Sequence, residues 1–248
     1  MLERRRNLGR DAFFRDYLHA NRPVILTGLL DAWPAVGRWS PNYLKSVCGE
    51  QVVEVMAGRD ADPDFERNCE QHRAKITFGA YVDEVVGGSG NDRYMVANNR
   101  FLDSEAGARL RNDIVSFPEF LDPDDTAGRI FFWLGPAGTV TPLHYDTTNI
   151  FLAQVVGHKR VRLISPEQTP LMYNRVGVFS DVDYERPNLG QFPMFSHVTA
   201  TDFLLNPGEV LFIPINWWHH VRSVTPSLSV SLTNFLKVDA PADLLAPV

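Results

Sequence analysis

From residue 129 onward the sequence breaks into short apolar segments separated by turn residues, and this spacing limits the fold more than any other feature of the chain. The first segment, 130–134, reads Ile-Phe-Phe-Trp-Leu and is turned by Gly135-Pro136. Segments at 140–146, 150–156, 159–164, 209–214, 219–224 and 227–235 follow. Each is the length of a strand and too short for an ordinary helix. Strands at this spacing bury their apolar faces as a sandwich or a closed barrel. Gly157-His158 reads as a tight hairpin turn, with 159–164 as the returning strand. Residues 165–200 are rich in Pro, Asn, Asp and aromatics and read as a long ordered loop.

The first 128 residues mix helix and strand signals. Asp11 is a candidate N-cap, followed by Phe14, Tyr17 and Leu18 at helical spacing. Residues 23–28 read as a short buried strand, 42–47 as a helix and 52–56 as another strand. The polar run 57–75 reads as a surface loop. Residues 77–86 look helical and are stopped by Gly87-Gly88-Ser89-Gly90, after which 93–96 again reads as a strand. No internal repeat divides the chain, so the expectation is one domain over 1–248. A mixed α/β flank over about 1–128 would precede a barrel core over about 129–238.

Composition excludes some roles. A net charge of -6 gives no overall pull toward phosphate backbones, so nucleic acid is not the expected partner. Arg4, Arg5, Arg6 and Arg10 form the only basic run near the N-terminus and read as a solvated tail. Cys48 and Cys69 match neither a disulfide framework nor a zinc motif, and read as packed, reduced thiols. The opening residues lack the apolar core of a signal peptide, and no apolar run is long enough to span a bilayer. A cytoplasmic protein without membrane attachment is expected.

The chemistry concentrates in four places. In Thr141-Pro142-Leu143-His144-Tyr145-Asp146, strand alternation turns His144 and Asp146 to one face and Tyr145 to the other. Trp217-Trp218-His219-His220 can add at most one further imidazole to a shared interior, because adjacent strand residues face opposite ways; otherwise the two are packing or surface histidines. Two histidines and one carboxylate leave half of an octahedron open, which suits Fe(II) that must also bind a cosubstrate and O2. A structural zinc site would close its shell. On 159–164, Lys159 shares the apolar face of Val161 and Leu163, which buries its ammonium. A buried ammonium needs an anion, supplied by a protein carboxylate or by an acidic ligand. Asn234 closes the face Leu228, Val230 and Leu232, as a site amide or as a strand-end cap.

Together these stretches resemble the JmjC-type, cupin-fold 2-oxoglutarate oxygenases. The likeness is strongest to the hydroxylase branch, which includes the asparaginyl hydroxylase that inhibits hypoxia-inducible factor. It is carried by TPLHYDTTNIFLAQVVGHKRVRLISP, VDYERPNLGQFPMF and PGEVLFIPINWWHHVRSVTPSLSVSLTNF, and by the opening RPVILTGLLDAWPAVGRW. The resemblance implies a mainly β fold, a double-stranded β-helix (jelly-roll or cupin barrel) with flanking N-terminal helices and strands. It implies Fe(II) held by His144, Asp146 and His219, with His220 outside the ligand set. It also implies 2-oxoglutarate as cosubstrate and O2 as oxidant. Lys159 would take the far carboxylate of 2-oxoglutarate, Thr141 and Tyr94 would add hydroxyl hydrogen bonds, and Asn234 would lie near the cosubstrate.

Two positions depart from the family pattern. Ile150 stands where an Asn is common, with Asn149 just before it, which raises the question whether Asn149 makes the missing contact. Val96 and Ala97 follow Tyr94 where related hydroxylases can carry Gln. The expected activity is hydroxylation of a C–H bond in a protein or peptide side chain, with succinate and CO2 as co-products. Hydroxylation of a small molecule, such as a free amino acid or natural-product intermediate, is the alternative. Lysine demethylation is a further one, although many demethylases carry Glu where this chain has Asp146. A non-catalytic cupin-like binding protein is disfavoured by the full ligand set. The segment 172–195, with Tyr173, Asp183 and Tyr184, is either a substrate lid or a structural cover. The chain is expected to be a monomer or a homodimer.

Overall fold

The computed structural model describes residues 2–239. The flank begins with β1 (Arg4–Arg6), α1 (Arg10–Phe13) running on as a π-turn over Phe14–Leu18, and β2 (Val24–Thr27). Arg4–Arg6 of the basic run therefore form a strand and not a tail, although their side chains stay exposed, and Arg10 opens α1: β1 lies parallel to β2 with Arg4 opposite Ile25. Gly9, not Asp11, caps α1. Next come α2 (Pro34–Arg38), α3 (Pro41–Cys48) and β3 (Val52–Met56). The polar run ends in a strand that periodicity missed, β4 (Arg73–Thr77), paired antiparallel to β3. Helices α4 (Phe78–Gly87) and α5 (Glu105–Arg111) complete the flank. Residues 93–96 form only isolated bridges, Met56 with Tyr94 and Met95 with Leu134.

The barrel strands are β5 (Ile130–Gly135), β6 (Val140–His144), β7 (Ile150–Val156), β8 (Lys159–Ile164), β9 (Thr201–Leu205), β10 (Glu209–Ile213), β11 (Trp218–Ser223) and β12 (Ser227–Leu232). They lie in two sheets, ordered β1-β2-β10-β7-β12-β5 and β6-β11-β8-β9. Strands adjacent in sequence mostly fall in different sheets, and within each sheet the barrel pairs are antiparallel. That is the jelly-roll arrangement. It corrects the hairpin expected at Gly157-His158: β7 and β8 do not pair, and this turn carries the chain from one sheet to the other. Gly157 takes φ 74°, and a Cβ there would meet the Pro226 carbonyl oxygen at 2.0 Å, so only glycine fits. The strand β9 was hidden by the polar run before it.

Alternation then divides the core. Phe151, Ala153 and Val155 of β7, Val210 and Phe212 of β10, and Leu228, Val230 and Leu232 of β12 face the helical flank. Phe13 packs there against Phe120, Phe212 and Phe151 at centroid distances of 4.9, 5.0 and 5.4 Å. Burying one such ring contributes about 2–3 kcal/mol. The opposite faces meet inside the barrel, where Leu152, Leu211 and Ile213 pack against Val161, Leu163 and Val221. Because the larger sheet is covered on both sides, its strands β7 and β10 read as nearly continuous apolar runs, whereas β12 alternates serine with leucine and valine.

Candidate active site

The last residue of β6, His144, pairs directly with His219 of β11. Facing residues of an antiparallel pair share a face and lie close together, and the two imidazole centroids are 4.1 Å apart. The Nδ1 atom of each ring lies at hydrogen-bonding distance from a carbonyl two residues earlier, Pro142 at 2.8 Å and Trp217 at 3.0 Å. Donation from Nδ1 would leave each Nε2 available to a metal ion. Both Nε2 atoms face Asp146 Oδ2, at 3.9 Å from His144 and 3.3 Å from His219. One donor atom from each of the three residues lies within 4.8 Å of the others. Burial and the neighbouring His219 push the His144 imidazole down to about 4, which keeps it an uncharged donor at neutral pH. Burial works against the Asp146 carboxylate, but the two imidazoles hold it below the usual range.

Asp146 reaches this place differently from the strand argument, because β6 ends at His144. The residue is held from the neighbouring turn instead. The Asn216 N–H donates to the Asp146 carbonyl at 2.9 Å, and Asn149 Oδ1 accepts from the Ile215 N–H at 2.9 Å. Asn216 sits at φ 66°, a left-handed conformation that Asn tolerates. Asn149 is thus engaged in fixing the turn before His219. Ile150 packs against the apolar barrel interior.

A bulge brings the next donor to the same face. His219 pairs with His144 and Val221 with Thr141, so three residues of β6 span two of β11. The extra residue resets alternation, and Thr141 and His144 both point inward. His220 points the other way: its Nδ1 accepts from Arg162 at 3.1 Å and its ring stacks on Tyr184. Strand geometry therefore separates the two histidines.

Lys159 lies on the same inner face, pairing with Ser223, while Leu163 of the same strand pairs with His219. Its ammonium donates to the Tyr94 hydroxyl at 3.2 Å and sits 5.9 Å from the centroids of both Tyr94 and Trp133. The Tyr94 hydroxyl is also hydrogen-bonded to Thr141. Among the described residues, no carboxylate lies within ion-pair distance of Lys159. Burial pulls this ammonium down to about 7. The sequence left the counter-anion open between a protein group and a ligand, and the described residues supply no such protein group. The Thr141 row is two residues, about 7 Å, from the histidine row. The inner face thus carries the two imidazoles and the Asp146 carboxylate at one end and the Thr141 and Tyr94 hydroxyls and the Lys159 ammonium at the other.

Asn234 is not part of this group. It faces the helical flank with Leu228, Val230 and Leu232, and its amide donates to the Asp122 carbonyl at 2.7 Å. It fastens the end of the last strand, which corrects the expected place beside the cosubstrate. Within 172–195, Tyr173 accepts from the Met194 N–H and Asp183 accepts from the Glu185 and Arg186 N–H groups. Met172 and Val182 pack with Trp218 on the outer side of β11. These contacts make a structural cover. The part that touches the metal donors is Phe179, whose ring stacks on His144 at 5.4 Å. Residues 178–180 flank β6 through Tyr145 N–H to Val178 O and Ser180 N–H to Leu143 O. No periodicity marks Phe179, because its placement depends on pairing across a long loop.

This geometry can be set beside known proteins. A family model described as a cupin-like domain matches residues 10–235. The chain belongs to the cupin-like JmjC family. It is 36% identical over 227 residues to Lysine-specific demethylase 8 of Xenopus tropicalis, covering 88% of this chain and 49% of the relative. It is 33% identical over 244 residues to JmjC domain-containing protein D of Dictyostelium discoideum, covering 88% and 52%. Over 242 residues it is 28% identical to tRNA wybutosine-synthesizing protein 5 of Gallus gallus, covering 92% and 74%. The chain spans about half the length of the first two relatives. JmjC oxygenases use Fe(II), 2-oxoglutarate and O2, and the donor set fits them: two imidazoles, one carboxylate and a buried ammonium with no counter-ion among the described residues. Among the described residues, no helix is long and apolar enough to cross a membrane.

Proposed function

We propose that this chain is an Fe(II)- and 2-oxoglutarate-dependent oxygenase that hydroxylates a C–H bond of a protein or peptide side chain, releasing succinate and CO2. The observation that carries the reading is the combination of the His144, Asp146 and His219 cluster with a buried Lys159 that has no counter-ion among the described residues. His144, Asp146 and His219 would hold iron and leave coordination positions for other ligands. Lys159 would pair with the far carboxylate of 2-oxoglutarate by a charge-assisted hydrogen bond, with Tyr94 and Thr141 orienting it. When bound, the iron couples oxidative decarboxylation of 2-oxoglutarate by O2 to insertion of one oxygen atom into a C–H bond. The buried surroundings of Lys159 and the Phe179 ring against His144 would help to exclude water from a bound cosubstrate.

The macromolecular substrate class is supported by the names of relatives, one specifying lysine demethylation and another tRNA. A net charge of -6 weighs against RNA. Demethylation and stable hydroxylation share the first C–H step and differ in the carbon presented, since a hydroxylated N-methyl group collapses to formaldehyde. A succinate-release screen over peptides, methylated peptides and free metabolites, with formaldehyde measured in parallel, tests the reading. Succinate without formaldehyde on a peptide is the expected result. Turnover confined to free metabolites, or formaldehyde in step with succinate, would overturn it.

A further inference from the structure

We propose that Arg59 is a positioning residue that holds the Tyr94–Thr141–Lys159 end of the cosubstrate pocket in shape. The inference rests on the reading of that pocket given above. Arg59 lies in the polar run expected to be a surface loop, yet only 1% of it is exposed. Burying a guanidinium is costly unless geometry and partners are provided. Its partners converge on the pocket. Nη2 donates to the Val140 carbonyl at 2.8 Å and to Glu66 at 2.9 Å, and Nη1 donates to the Asn91 carbonyl at 3.4 Å. The guanidinium lies 4.2 Å from the Phe65 ring centroid and 5.2 Å from that of Tyr94.

Val140 is the residue before Thr141 on β6, the outermost strand of its sheet. An edge strand leaves one side of its backbone without a ladder. Here Arg59 takes the Val140 carbonyl, and Asn91 Oδ1 accepts from the Val140 N–H at 2.8 Å. The two side chains thus stand in for a neighbouring strand at the point where Thr141 enters the pocket. The same guanidinium backs the Tyr94 ring, whose hydroxyl meets Lys159 and Thr141. Glu66 neutralises Arg59, so the residue acts through Tyr94 and Thr141 and not on the ligand itself. One donor, Arg59 Nε, is buried without a partner, a cost retained because the planar group must fit between two rings and a strand edge.

The test is binding by calorimetry to Mn(II)-loaded protein, with 2-oxoglutarate and 2-oxopentanoate as probes. The second keeps the 2-oxo acid end and replaces the far carboxylate with a methyl group. Arg59→Lys keeps the charge and loses the planar fork. The double variant R59M/E66M removes the buried pair together, which protects folding. The expected result for both is a 2-oxoglutarate Kd raised about tenfold or more, with the 2-oxopentanoate Kd changed less than about twofold. Equal weakening of both probes, or no weakening of either, would overturn the proposal. Lys159→Met is measured alongside. If it leaves the ratio of the two affinities unchanged, the pocket reading itself fails and Arg59 falls with it. If it collapses the ratio while the Arg59 variants keep it, the Arg59 inference alone fails.

Discussion

Binding of 2-oxoglutarate should take up a proton from solution, and the amount follows from Lys159. Burial without a counter-ion pulls its ammonium from 10.5 down to about 7. The free site is then about half charged at pH 7 and about one-tenth charged at pH 8. A bound carboxylate restores the ordinary preference for the charged form. Binding at pH 8 should therefore take up about 0.9 proton, falling to about 0.5 at pH 7 and about 0.1 at pH 6. Affinity should weaken toward tenfold per pH unit above 7, until the pH reaches the raised value in the complex. The folding linkage has the opposite slope: between about 7 and 10.5 the unfolded chain holds the extra proton, so the ligand-free protein gains stability as pH rises. The total cost of burying this group is on the order of 5 kcal/mol, all of it present below pH 7. Calorimetric titration of the Mn(II)-loaded protein at pH 8, in phosphate and in Tris, reads the proton count from the difference in heats. Equal heats after correction for metal–buffer binding would refute the argument, because Lys159 would then be charged before the ligand arrives.

Other perturbations have equally definite outcomes. Lys159→Met should raise the stability of the ligand-free protein at pH 6 by at least about 1 kcal/mol in urea unfolding, while removing 2-oxoglutarate affinity. Gly157→Ala should cost about 3 kcal/mol in the same assay, because it meets both a positive φ and the Pro226 carbonyl. His219→Ala should abolish one-to-one metal binding, whereas His220→Ala should leave it in place, as measured by metal analysis after gel filtration. His72 is held above its ordinary value by Asp62, its hydrogen-bond and ion-pair partner. Its contribution is present below about pH 6.5 and lost as pH rises through the folded value, so His72→Gln should flatten that part of the stability profile.

Much of the barrel was legible because its strands are sorted by alternation. Val161 and Leu163 announced the buried face of β8, and that placed Lys159 inside before any pairing was known. The His144 and Asp146 pair was also readable, although Asp146 gets its place from the Asn216 turn and not from a strand. Pairing itself was not legible. A glycine turn between two strands looks the same whether the strands are neighbours or lie in opposite sheets, and only the closure of the barrel decides at Gly157. Alternation left Asn234 open between a site amide and a strand-end cap, because it names a face but not which side of the sheet is the inside; the place beside the cosubstrate came from the family resemblance. Arg59 and Phe179 carry no local signal, since each is fixed by partners far away in sequence. The selection of His219 over His220 came from family resemblance; in the structure His219 lies beside His144 and Asp146, while His220 is engaged by Arg162 and Tyr184.

The central claim is that three residues hold iron with positions open for a chelating 2-oxo acid. Anaerobic addition of Fe(II), then 2-oxoglutarate, with the visible spectrum recorded throughout, tests it most directly. The account predicts one iron per chain and a charge-transfer absorption that appears only when both are present and is absent in Asp146→Ala. Iron binding without that absorption, or an absorption that survives loss of Asp146, would contradict it.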